Sequence, residues 1–170
     1  MPIEYDRRVR TRNEGLERAV ELMQHAYRLQ MEGELDGAIA VYKQSIALYP
    51  TAEAHTFLAW TYSFQGRLDD AIAECQRAIT VDADFGNPYN DIGSYLIKLD
   101  RPDEAIPWLE KAIAAKRYEP RHYPHCNLGQ AYWTLGQLSR AITEFERALE
   151  LSPDYESAET ALGTLRKQLN

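Results

Sequence analysis

Apolar residues recur at intervals of three and four along most of the chain, and the strict alternation of a half-buried strand is absent. Leu16, Val20, Met23 and Tyr27 share one face in this way, at spacings of four, three and four. That period predicts amphipathic α-helices. Gly33, Gly66 and Gly136 each separate two such stretches, where a left-handed residue can end one helix and turn the chain back. The predicted unit is therefore helix, turn, helix.

The unit recurs. Four segments close alike: LDGAIAVYKQSIALYP, LDDAIAECQRAITVDA, PDEAIPWLEKAIAAKR and LSRAITEFERALELSP. Their alanines Ala38, Ala71, Ala105 and Ala141 lie 33, 34 and 36 residues apart, a period of helical repeat arrays. A small residue precedes each by twelve positions (Ala26, Ala59, Gly93, Gly129), and another follows by seven (Ser45, Ala78, Ala112, Ala148). Small residues at matched positions let two helix backbones approach closely, leaving Tyr42, Cys75, Leu109 and Phe145 to fill the space between neighbouring repeats.

These residues resemble the tetratricopeptide repeat (TPR) family, whose signature combines small residues at these positions with a bulky apolar residue between them and a closing proline. LGQAYWTLGQLSRAITEFERALELSP, residues 128–153, fits nearly every position, and the resemblance covers about residues 19–169. It implies an all-α, right-handed α-α superhelical solenoid of four helix-turn-helix repeats plus a C-terminal capping helix. The expected division is an N-terminal extension at 1–18 leading into a long first helix, repeats at 19–51, 52–85, 86–119 and 122–155, and a cap at 156–170. Polar Glu156, Glu159, Arg166, Lys167 and Gln168 suit a cap's outer surface, and the array is expected to be complete.

Departures from the pattern carry their own expectations. Asp100 stands where the other repeats have the turn glycine, and Asp tolerates the left-handed region. Pro88, Pro102 and Pro124 suit first turns of helices, with Pro124 starting its own, whereas Pro107 denies the Asp103 carbonyl its partner and predicts a kink. Two extra residues in KRYEPRHYPH lengthen the third connection and are expected to expose Arg117, Tyr118 and Arg121. Asn13 is placed as an N-cap, and residues 1–12, which lack periodicity, are expected to be mobile.

In the family the first helix of each repeat lines a concave groove. Carried over by offset from the small residue, that groove comprises Met23, Tyr27 and Met31; Thr56, Trp60 and Phe64; Asn87, Asn90 and Lys98; and Tyr123, Gln130 and Trp133. The expected surface is aromatic and polar with little charge, suited to a peptide with apolar side chains whose backbone is read by Asn87, Asn90 and Gln130. The function implied is a protein-protein interaction adaptor or scaffold holding a partner peptide in the groove. The alternative is homotypic assembly, in which the chain forms a homo-oligomer through its solenoid surfaces. The clamp of lysines, arginines and asparagines by which some relatives grip a chaperone's C-terminal carboxylate is not expected, because only Asn90 and Lys98 could contribute.

Charge and candidate chemistry narrow the reading further. The net charge is −7, against nucleic acid as a partner, although residues 1–18 carry five arginines against four carboxylates. No apolar run is long enough for membrane insertion, and the two cysteines, Cys75 and Cys126, form no CxxC pair, so a cytoplasmic, reducing location is expected. His122, His125 and Cys126 cluster in HYPHC, but they lack a fourth zinc ligand, and His125 holds the same repeat position as His55, which points to packing. Cys75 is read as buried filler, and His25 is expected to pack as well. Asp84-Phe85-Gly86 matches a kinase tripeptide without that family's other parts. No catalytic residues, metal site or cofactor is predicted, and the chain is not expected to be an enzyme.

Overall fold

The computed structural model describes residues 2–169, with side chains from residue 13 onward. Among the described residues it contains nine α-helices: α1 (Pro2–Met31), α2 (Leu35–Leu48), α3 (Ala52–Phe64), α4 (Leu68–Val81), α5 (Asn87–Lys98), α6 (Pro102–Ala114), α7 (His122–Thr134), α8 (Leu138–Leu151) and α9 (Glu156–Leu169). The chain divides into two compact units, Met1–Asp82 with α1–α4 and Ala83–Asn170 with α5–α9. Within each unit, helices pack as antiparallel pairs and consecutive pairs stack. No helix among the described residues is long and apolar enough to cross a membrane.

The four turns inside the pairs are built alike. Gly33, Gly66 and Gly136 have φ of 83°, 75° and 71°, and Asp100 takes the same role at 58°. In each, the following amide reaches back to a carbonyl of the preceding helix: Glu34 to Leu29, Arg67 to Tyr62, Arg101 to Leu96 and Gln137 to Tyr132. This is the Schellman arrangement, which satisfies carbonyls a helix end would leave orphaned.

In the first unit Ala26, Ala38, Ala59 and Ala71 are fully buried, as is Tyr42. The depth of Tyr42 creates a polar demand met by Gln30, whose Oε1 lies 2.9 Å from both the Tyr42 and Thr61 hydroxyls. Ser45 likewise donates to the Ala19 carbonyl at 2.7 Å. The Thr51 hydroxyl caps α3 by accepting from the Ala54 amide.

In the second unit the small positions of α5 and α7 are glycines, Gly93 and Gly129, and large side chains lie over them. A Cβ on Gly93 would stand 2.4 Å from Leu109 Cδ2, and one on Gly129 would stand 2.7 Å from Phe145 Cδ1. Phe145 also joins Ala158, Leu162 and Leu165 of α9 in one buried cluster, so α9 covers the apolar face of α8.

Several expectations are corrected. Helix α1 begins at Pro2, which places Asn13 inside the helix rather than at its cap. The side chains of Arg7, Arg8, Arg10 and Arg12 lie outside the described residues. His25 is exposed, and Pro124 is the third residue of a helix that starts at His122. Helix α6 runs on through exposed Pro107 to Ala114.

The loop after α6 differs most. Tyr118 is only 4% exposed, not the surface residue expected. The segment folds back on the start of α5: the Arg117 amide donates to the Asp84 carbonyl at 2.9 Å, and the Gly86 amide to the Arg117 carbonyl at 3.1 Å. Lys116 reaches the Asp84 carboxylate, the Arg117 guanidinium covers the Phe85 ring, and Arg121 donates to the Ile113 and Ala115 carbonyls. Gly86 has no room for a Cβ beneath Tyr118, which explains the glycine of Asp84-Phe85-Gly86 without any catalysis. Burial pushes the Tyr118 phenol above its usual range.

Candidate partner-binding site

In the first unit, Met23 and Tyr27 stand one turn apart on α1 and, together with Phe57 of α3, line an open cavity of about 340 Å³, with Gln24 and Arg28 completing its wall. Phe57 organises the site. Its ring stacks on Tyr42 at 6.2 Å, meets Trp60 edge-on at 5.1 Å, and leaves one side toward Tyr27 at 5.5 Å. Such rings are held in place before any partner arrives, which lowers the entropy cost of binding. Met31 and Phe64, the last residues of α1 and α3, are 67% and 63% exposed, and Tyr27 is 41% exposed. Trp60 is half-buried by its contact with Phe57.

Thr56, expected on this surface, is buried, with its hydroxyl bonded to the Ala52 carbonyl. The residue that reaches the cavity is its neighbour Phe57, which the offset rule omitted. The density of aromatics in Phe57-Leu-Ala-Trp60-Thr-Tyr62-Ser-Phe64 was the available signal.

In the second unit the first helices present a more polar face. The Asn127 amide donates to Asn90 Oδ1 at 2.9 Å, tying α7 to α5 and occupying one of the groups expected to read a peptide. Asn87 is half-buried, Gln130 is exposed beside Thr134, and Lys98 is exposed with its ammonium over the Tyr95 ring. Tyr123, 42% exposed, packs with His122 at 4.1 Å and Tyr155 at 5.5 Å. Burial lowers the His122 pKa and raises that of Tyr155. Trp133 is half-buried, edge-on to Phe145, and borders a depression of about 400 Å³ whose other lining includes Glu156, Thr160 and Thr164.

The histidines of HYPHC are drawn apart chemically. His125 Nδ1 lies 2.7 Å from Glu144 Oε2, and His55 Nδ1 lies 2.7 Å from Glu74 Oε2, the same bond in two repeats. Arg77 holds the other Glu74 oxygen. In the third repeat the equivalent positions are Tyr89 and Trp108, rings 6.2 Å apart, and in the first they are Leu22 and Val41. The position therefore joins the two helices of a repeat, with either a polar or an apolar pair. Burial pushes the Cys126 thiol up to about 11 against a hydrogen bond from Tyr155 that lowers it, and Cys75 is fully buried. No group of three His, Cys, Asp or Glu residues is gathered for a metal ion among the described residues.

Paired helices, left-handed turns and matched small residues define a helical-repeat protein. Models of the tetratricopeptide repeat match residues 16–88 and 84–154, and the chain belongs to that family. Among curated proteins it is similar to anaphase-promoting complex subunit 7 of Dictyostelium discoideum, 29% identical over 114 residues, which are 66% of this chain and 19% of that protein. The chain thus spans about a fifth of that relative's length. Among solved structures it resembles MamA, with 26% identity, a TM-score of 0.73 and coverage of 84% of this chain and 83% of that one. It also resembles the first TPR of Spaghetti (RPAP3) bound to an HSP90 peptide, with 24% identity, a TM-score of 0.65 and coverage of 70% and 93%; that likeness speaks to the fold alone.

Proposed function

We propose that the protein is a non-enzymatic adaptor that binds an extended segment of another polypeptide on its first-helix faces. One observation carries this reading: Tyr27, 41% exposed, lines the apolar cavity of the first unit beside the fixed ring of Phe57, and exposed Met31 and Phe64 end the two helices that form it. Large exposed apolar groups beside a preformed concavity are costly to leave in water and are typical of interaction sites. The family's domains bind peptide partners generally, as the RPAP3 domain does with its HSP90 peptide, and this fold is compatible with that use. The division into four repeats closed by α9 as a cap belongs to the same proposal.

The direct test is affinity capture with the intact chain beside a Met31→Glu, Phe64→Glu variant, both residues being exposed enough for charge to leave folding unaffected. Partners retained by the parent and lost by the folded variant support the reading. Partners retained equally by both refute it.

A further inference from the structure

We propose that the first-unit cavity selects a segment in which a large apolar side chain is flanked by a single carboxylate, an Asp or Glu; this deepens the peptide-binding reading and rests on it. The cavity's interior is apolar, formed by Met23, Tyr27 and Phe57, and its volume of about 340 Å³ admits one large side chain rather than a folded element. Its edge is different. Gln24 and Arg28 stand one turn apart on α1, line the cavity wall and are both exposed, so a partner lying on the cavity comes within reach of an amide and a guanidinium.

Arg28 is exposed and makes no ion pair among the described residues. Other arginines are already engaged: Arg18 holds Glu21, Arg67 holds Asp70, Arg101 holds Glu104 and Arg166 holds Glu146. A cation at the edge of an apolar cavity complements a carboxylate next to the residue filling it. The chain's net charge of −7 limits the acidity of the partner, since a run of carboxylates or phosphates would be repelled as a whole. A basic segment would be drawn by that overall charge but would set its cation against Arg28. One carboxylate beside one apolar anchor satisfies both constraints.

The test is selection of short random phage-displayed peptides on the full chain, with enriched sequences remade as fluorescein-labelled peptides and titrated by anisotropy. The expected consensus places Phe, Tyr, Trp, Leu or Met beside Asp or Glu. Exposed Arg28→Glu should weaken those peptides about fivefold, an effect that shrinks with salt, and selection on that variant should favour Lys or Arg instead. Tyr27→Asp should abolish binding while helicity is retained. Peptides lost in Tyr27→Asp but lacking an acidic preference and indifferent to Arg28→Glu overturn this inference and leave the peptide-binding reading standing. Peptides indifferent to both variants, or no enrichment at all, overturn both. Self-association that Tyr27→Asp abolishes makes a second copy the occupant and overturns the inference.

Discussion

Replacing His55 by leucine isolates the energetics of the bond that links the two helices of the second repeat. The Glu74 side chain is 8% exposed and its two oxygens are held by His55 and Arg77, so the substitution leaves a desolvated carboxylate with half its partners. Removing one partner of a buried pair costs about 3–5 kcal/mol. The Arg77 guanidinium, itself 60% exposed, still serves one oxygen, which brings the expected loss down to about 2–3 kcal/mol. The double variant His55→Leu, Glu74→Val installs the residues that occupy these positions in the first repeat, Leu22 and Val41. With no stranded charge it should fall within about 1 kcal/mol of the parent. Far-UV circular dichroism during urea and thermal unfolding measures the cycle, and the single variant should melt about 5–10 °C below the parent. His125→Leu, which strands Glu144, is the corresponding change in the second unit and should also destabilise. A single variant no less stable than the double would refute the reasoning, because the carboxylate would then owe nothing to His55.

Three further outcomes follow from the packing and the thiol environment. Gly93→Ala and Gly129→Ala should each cost about 1–3 kcal/mol in urea unfolding, because the added Cβ meets Leu109 or Phe145; Gly163→Ala, with open space around it in α9, should stabilise by about 0.5–1 kcal/mol. Asp100→Gly, at φ 58°, should raise stability by about 1 kcal/mol, whereas Gly66→Ala at φ 75° should lower it by a similar amount, both read from unfolding midpoints. With its pKa pushed up to about 11, the Cys126 thiol should stay protonated at neutral pH; alkylation by iodoacetamide should be slow at pH 8 and accelerate as pH approaches that value, and rapid labelling of folded protein at pH 8 would contradict the burial.

The helix-pair architecture was legible because its determinants are local and repeated. Gly33, Gly66 and Gly136 announce their turns, Asp100 is placed by analogy, and the small residues and their bulky partners follow by counting. What counting cannot supply is depth. The same face offset that points to Thr56 misses Phe57, because the short threonine is buried with its hydroxyl on the Ala52 carbonyl while the neighbouring ring, stacked on buried Tyr42, reaches the cavity. Tyr118 looked like a loop residue on composition, yet the loop's backbone pairs with residues 84–86 and carries the ring onto Gly86, an arrangement that sequence spacing does not encode. The shared position of His55 and His125 was visible, but their partners Glu74 and Glu144 emerge only when the second helix is set against the first. Comparing the four copies at both positions together, Leu22 with Val41 and Tyr89 with Trp108 included, would have revealed the pairing.

A partner polypeptide lying on the first-helix face of the first unit would be within reach of site-specific photo-crosslinkers placed there. p-Benzoylphenylalanine replaces Met31 or Phe64 at the ends of α1 and α3, and in a control replaces exposed Gln76 on α4. Illumination should join the same foreign polypeptide to positions 31 and 64 and leave position 76 unlinked. Crosslinking from position 76 with none from 31 and 64, or adducts of the protein only with itself, would contradict it.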